Sequence, residues 1–293
     1  MTNSSVNILG SLTAFLNSGQ LLKWLVYALL SINFCFYLME DFGVASQVLR
    51  GGGTWLQWTN EFSTSLDVFG WLGLLMVFEL DTYLLSDENA ERALIRWSLN
   101  AIRLICYVLL IHTVVARVTD MMEYVGVEKA NGVTSLCQLA EQEFSFTENN
   151  IYTPVNASNC NDLAQGQDFY LLKKKVVTDK DGYSLEGTNL WIDLQDVLLW
   201  LLIIAAIEMK VYLQNRGITE GRMLMLAHVA KFFYGVLFIH AGFWIYTGHW
   251  LWAWDQSLWI MGFWAIENNL STRREEMLDD KTEIQGPSIR QPS

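Results

Sequence analysis

Basic residues and metal-binding signatures are both scarce in this chain. Nineteen Lys and Arg stand against 31 Asp and Glu, for a net charge of −12. No basic stripe with interleaved aromatics occurs, which disfavours nucleic acid as a partner. Only four histidines and four cysteines are present, and none falls in an HxxxH, HxxEH or CxxC pattern, so the spacing signatures of common zinc sites are missing. A phosphate-cradling glycine loop and a GxSxG elbow are missing too, because RGGGTW at residues 50 to 55 has no strand-to-helix context. The first apolar block lacks a basic amino-terminal region and a small-residue cleavage site, and is expected to be a retained span. No internal repeat is evident.

What the chain does have is apolar sequence in blocks of about 20 residues, the length that crosses a hydrocarbon layer as a helix. Six are expected: about 21 to 39, 65 to 85, 99 to 118, 190 to 212, 223 to 245 and 250 to 269. Stretches such as VLLWLLIIAAI carry no polar face and argue against a soluble helical protein. Basic residues beside membrane helices favour the cytoplasm. Lys23, Arg92, Arg96, Lys210, Arg216, Arg222, Arg273 and Arg274 all fall on one side of a six-span chain, so both termini are expected to be cytoplasmic, in a plasma or inner membrane.

The long loop, about 119 to 189, then faces the other side. It carries Cys137 and Cys160, the only cysteines outside the spans, and an oxidising compartment would pair them. Closing such a loop stabilises by about 3 kcal/mol. Within it, DFYLLKKKVVTDKDGYSLEG predicts a hairpin turning at Asp181–Gly182. Asn156 opens a glycosylation sequon. The expected fold is an all-α integral membrane protein, a six-helix bundle with a small extracytoplasmic, disulfide-containing loop subdomain. Its parts are spans one to three (1–118), the loop subdomain (119–189), spans four to six (190–270) and a disordered cytoplasmic tail (271–293).

Charges inside a bilayer are costly and are therefore functional candidates. Asp193, Asp196, Trp200, Ile204 and Glu208 recur at three- and four-residue steps along one face of span four. Asp67 and Gly70 do so on span two, and Arg103, Tyr107 and Leu110 on span three. Glu79, Arg103, Glu208, His228, Lys231 and Glu267 collect in the inner half. They are either charge pairs that fix helix register or a proton or cation path. Asp67, His112, Asp193, Asp196, His240, His249 and Asp255 collect in the outer half. His112 and His240 lie at matched depth, a spacing compatible with a metal or axial haem ligand pair. His228, Gly235 and Gly242 recur every seven residues and predict a close-packing seam on span five.

These residues point to a cation- or proton-handling transporter or channel, or a subunit of one. Asp67, Glu79, Asp193, Asp196, Glu208, Asp255 and Glu267 are its path candidates, with Arg103, His228 and Lys231 as charge partners. The alternatives are a non-catalytic scaffold or accessory subunit, and a membrane redox or metal-binding subunit. No cofactor is specified. The bilayer is one expected partner, and a second copy or a larger membrane complex is another.

Overall fold

The computed structural model describes residues 20–80, 92–164, 166, 168–216 and 221–263. It is mostly helical. Helix α1 (Gln20–Val48) is followed by a short α2 (Trp55–Glu61) and by α3 (Ser63–Glu79), which bends away from α2 by 70°. Then come α4 (Ala93–Val125), α5 (Lys180–Asn215) and α6 (Arg222–Tyr246). A last helix, α7, occupies 250–263, where the described residues end.

Four helices are long and apolar enough to cross a membrane among the described residues: Trp24–Val48, Ala93–Val125, Lys180–Met209 and His228–Tyr246. The bent pair α2–α3 raises the number to as many as five. The six expected spans are thus matched in part, because the sixth, 250 to 269, runs beyond the described residues. Polarity is arranged as in a membrane protein. Leu104, Ile105, Val108, Ile111 and Val115 of α4 are exposed, while Asp41, Glu79, Asp196 and Asp255 are buried. Water would penalise that arrangement and hydrocarbon favours it.

The 33 residues of α4 and 36 of α5 make helices roughly 50 Å long, well beyond a ~30 Å hydrocarbon layer. Their excess length carries the bundle up to a small β-subdomain. There β1 (Ser145–Glu148), β2 (Ile151–Pro154), β3 (Phe169–Lys173) and β4 (Val176–Asp179) form a sheet in the order β2-β1-β4-β3. Two antiparallel hairpins meet through a parallel β1–β4 pairing. Asn149 and Asn150, both at positive φ, form the first hairpin's tip, the backbone that a two-residue hairpin loop requires and asparagine tolerates. The Cys137–Cys160 disulfide is formed, and Cys160 packs with Leu136, Phe146, Phe169 and Val177 in the subdomain's own core.

The all-α expectation is therefore corrected to a mostly helical fold with a four-stranded sheet. The predicted hairpin is real, but its turn falls at Lys174–Lys175. Asp181–Gly182 instead lies in the first turn of α5. Asp179 ends β4 and accepts a hydrogen bond from the Gly182 N–H at 2.9 Å, capping the helix and satisfying a donor that would otherwise lack a partner.

In the bundle, α3 packs most extensively against α4, α5 against both α4 and α6, and α1 against α3. Gly70 and Gly73 set the α3–α4 approach: a Cβ at Gly73 would sit 2.6 Å from Cys106 Sγ, and one at Gly70 3.3 Å from the Cys106 carbonyl. Among the described residues the predicted seam on span five meets no neighbour: Gly235 and Gly242 have no atom of them within 4 Å of an added Cβ, and His228 is exposed.

Candidate functional site

A chamber of about 230 Å³ lies where the bundle meets the sheet. Three helices build its floor by the same local device. Asp67 and Trp71 on α3, Asp196 and Trp200 on α5, and Asp255 and Trp259 on α7 are each four residues apart, in the strings DVFGW, DVLLW and DQSLW. On a helix this puts each tryptophan one turn beyond its aspartate on the same face. All six side chains line the chamber. The Trp71 ring centre lies 6.1 Å from that of Trp200 and 6.0 Å from that of Trp259, and Phe263 joins them at 5.9 Å. Rings at these separations attract through offset and edge-to-face contact, so they seal the chamber towards the far end of the bundle.

The walls are unusually acidic. Besides the three floor aspartates, Glu40, Asp41, Glu61, Asp120, Glu123, Glu186 and Asp193 line the space, against two cations, Arg117 and Lys173. The two cations are threaded between acids. Lys173 reaches in from β3 and lies 2.6 Å from Glu61 and 3.6 Å from Asp120. Arg117 lies 3.8 Å from Asp120 and 2.9 Å from Asp193, and its remaining nitrogen donates to Thr64 Oγ1 at 2.8 Å. One chain of alternating charge thereby joins α2, β3, α4 and α5. Burial alone would lower the Lys173 pKa, but Asp120 and Glu61 outweigh it and hold the ammonium above its ordinary 10.5. Burial, aided by Glu186, raises the phenol of Tyr152, which stays a neutral hydroxyl on the chamber wall.

Other acids are held by hydrogen bonds to side chains and backbone of neighbouring helices. Asp41 accepts from the Ser65 backbone N–H at 2.9 Å and its hydroxyl at 2.6 Å, placing a carboxylate at the N-terminus of α3, where the helix dipole favours it. Asp255 accepts from Asn33 Nδ2 at 2.9 Å; neither Arg117 nor a histidine partners it. Glu40 accepts from Trp252 Nε1 at 3.3 Å. Asp196 gathers His240 Nδ1 at 2.6 Å, Trp244 Nε1 at 3.2 Å and Gln256 Nε2 at 3.2 Å, tying α5 to α6 and α7.

Asn189 and Glu186 are among the chamber groups that stand apart from these bonds. Asn189 is 2 % exposed, and neither its amide nitrogen nor its oxygen has a partner among the described residues. Glu186, one turn earlier on α5, receives no hydrogen bond or short ion pair among them. Unpartnered buried amides are costly, so the chamber is polar in a way its own side chains do not satisfy.

The far end of the bundle is organised differently. Glu79 is buried and accepts from Tyr27 Oη at 2.9 Å, and Glu208 pairs with Tyr107 Oη. Arg103 is half-buried, His228 and Lys231 are exposed, and Glu267 lies outside the described residues. His112 and His240 have separate partners: His112 Nε2 meets the Thr59 carbonyl at 3.1 Å, while His240 is engaged by Asp196. No three metal-ligating side chains converge among the described residues.

Of the sequence candidates, Asp67, Asp193, Asp196 and Asp255 meet in the chamber, whereas Glu79 and Glu208 do not reach it. Sequence reasoning missed Glu186 and Asn189, although both extend the Asp193–Asp196 stripe towards the helix start. It also missed the thrice-used Asp-x-x-x-Trp spacing. Glu61, Asp120 and Lys173 sit on segments whose mutual approach no local pattern encodes. No protein-family model matches the chain, and no curated protein or solved structure matches it either. The chamber's own chemistry therefore carries the functional argument.

Proposed function

We propose that this membrane protein handles cations, as a transporter or channel-type protein or as a subunit of one, and that the chamber is its ion-binding entry. The observation that carries this reading is the ring of Asp67, Asp196 and Asp255 over Trp71, Trp200 and Trp259, under a wall with far more carboxylates than cations. A cleft lined by one sign of charge concentrates counter-ions, and its carboxylates replace part of an ion's hydration. The basic residues flanking the spans support a reading with the sheet on the extracytoplasmic side and both termini in the cytoplasm, and the membrane in this reading is a plasma or inner membrane. Entry is then from outside, the aromatic floor is the barrier, and Glu208 with Glu79 or Glu267 is the inward relay.

Reconstitution into liposomes tests this. Cation or proton flux should fall at least tenfold in Asp67→Asn, with the protein still monodisperse and folded. Undiminished flux in that folded variant overturns the assignment. A second reading, an accessory subunit, draws on the Gly235–Gly242 face of α6, which no other described residue covers and where a partner helix would approach closely. Recovery of a stoichiometric partner from native membranes favours it, and a lone active oligomer opposes it.

A further inference from the structure

Resting on the cation reading above, we propose that the chamber's ligand is a small primary amine that also carries a hydrogen-bond acceptor, rather than an inorganic ion. Three independent features point there. The first is the acids' spacing. Inorganic divalent cations require oxygen ligands converging at about 2.0–2.6 Å, yet no group of three acidic, histidine or cysteine side chains comes close enough for this among the described residues. Dispersed carboxylates suit a cation that is larger and less strongly hydrated than a divalent metal ion.

The second feature is that the chamber already holds an alkylammonium. Lys173 is a primary amine on a flexible stem, seated between Glu61 and Asp120. A free amine entering beside it meets the same kind of wall on α5.

The third is a buried amide that the fold leaves unsatisfied there, with a half-buried acid beside it. Asn189, 2 % exposed, offers one acceptor and a donor, and neither is used among the described residues. Glu186 stands three residues earlier, on the same helical face and against the same space. An ammonium N–H donates to Glu186 and to the Asn189 oxygen, while a hydroxyl or carbonyl on the same molecule accepts from the Asn189 nitrogen. A quaternary ammonium lacks the N–H donors for the first two bonds, and a neutral diol lacks the charge. About 230 Å³ accommodates a molecule of a few heavy atoms.

Calorimetric titration of the full-length protein in detergent tests this, with ethanolamine as probe and choline, ethylene glycol, potassium and calcium as comparisons. Ethanolamine should bind at least tenfold more tightly than choline or either inorganic ion, and ethylene glycol should not bind. Glu186→Gln and Asn189→Ala should each weaken ethanolamine at least fivefold while leaving the melting curve of the ligand-free protein in place. Choline binding as tightly as ethanolamine, or folded variants that bind ethanolamine like the parent, overturns the proposal. Potassium or calcium binding without ethanolamine overturns it and leaves the cation reading standing. No binding by any of these cations overturns the proposal and, with it, the reading of the chamber as an entry for cations other than protons.

Discussion

The two ends of the bundle use the same residue types and reach opposite arrangements. At the far end, Glu79 and Glu208 each meet a tyrosine from a neighbouring helix. At the sheet end, acids from α1, α2, α3, α4, α5 and α7 converge on one space and share two cations. An acid–hydroxyl pair of this kind fixes register between two helices. A convergence of many acids on few cations remains short of positive charge. The contrast teaches that an intramembrane carboxylate is informative through what it shares its space with, more than through its presence in a span.

The largest test of this contrast is removal of Arg117, which holds Asp193 and Asp120. Arg117→Met should cost about 3–5 kcal/mol, the usual effect of stripping one partner from a buried ion pair, read as a fall in melting temperature or failure to assemble. Tyr107→Phe at the far end should cost about 1 kcal/mol. Equal losses would erase the distinction between the two ends.

The disulfide comes next. Cys137→Ser with Cys160→Ser should lower stability by about 2–4 kcal/mol. Hydrogen exchange should show the loss in the subdomain core around Phe169 and Val177 before it reaches Leu237 in the bundle. Packing supplies a smaller effect. Gly73→Ala drives a methyl group towards Cys106 Sγ and should cost about 1–3 kcal/mol by overpacking, whereas Gly235→Ala should be neutral or slightly stabilising.

The smallest effect is a pH dependence at the clamp between sheet and bundle. His249 meets Asn149 Oδ1 at 3.0 Å and stacks on Trp252, while Asn149 Nδ2 donates to the Thr247 carbonyl at 2.7 Å. Burial lowers the His249 pKa below its ordinary 6.5. The unfolded chain therefore binds this proton more readily. Stability is complete above about pH 6.5 and declines as pH falls towards the depressed folded value. Melting temperature should drop slightly more between pH 7 and pH 5 in the parent than in His249→Gln.

The helices were legible because long apolar blocks have few other solutions, and the Asp193–Asp196–Trp200 stripe followed from helical spacing alone. Its extension to Glu186 and Asn189 was hidden because apolarity places the membrane span near residue 190, while α5 begins at Lys180. The Asp181–Gly182 turn signal lost to Asp179, whose cap starts a helix at the same residues. The span-five glycines illustrate a further limit: a seven-residue repeat defines a face but not whether a neighbour covers it. Lys173 and Glu61 lie 112 residues apart, and only the assembled fold brings them together.

The central claim, that the sheet-end chamber is where a cation rests and the far-end acids only pass it on, is tested most directly by melting temperature against cation concentration. A ligand that binds only the folded state stabilises it by about 2.7 kcal/mol at a hundred times its Kd. The account predicts a saturable rise for the parent and for Glu208→Gln, and none for Asp67→Asn. A full rise in Asp67→Asn, or its loss in Glu208→Gln, would contradict it.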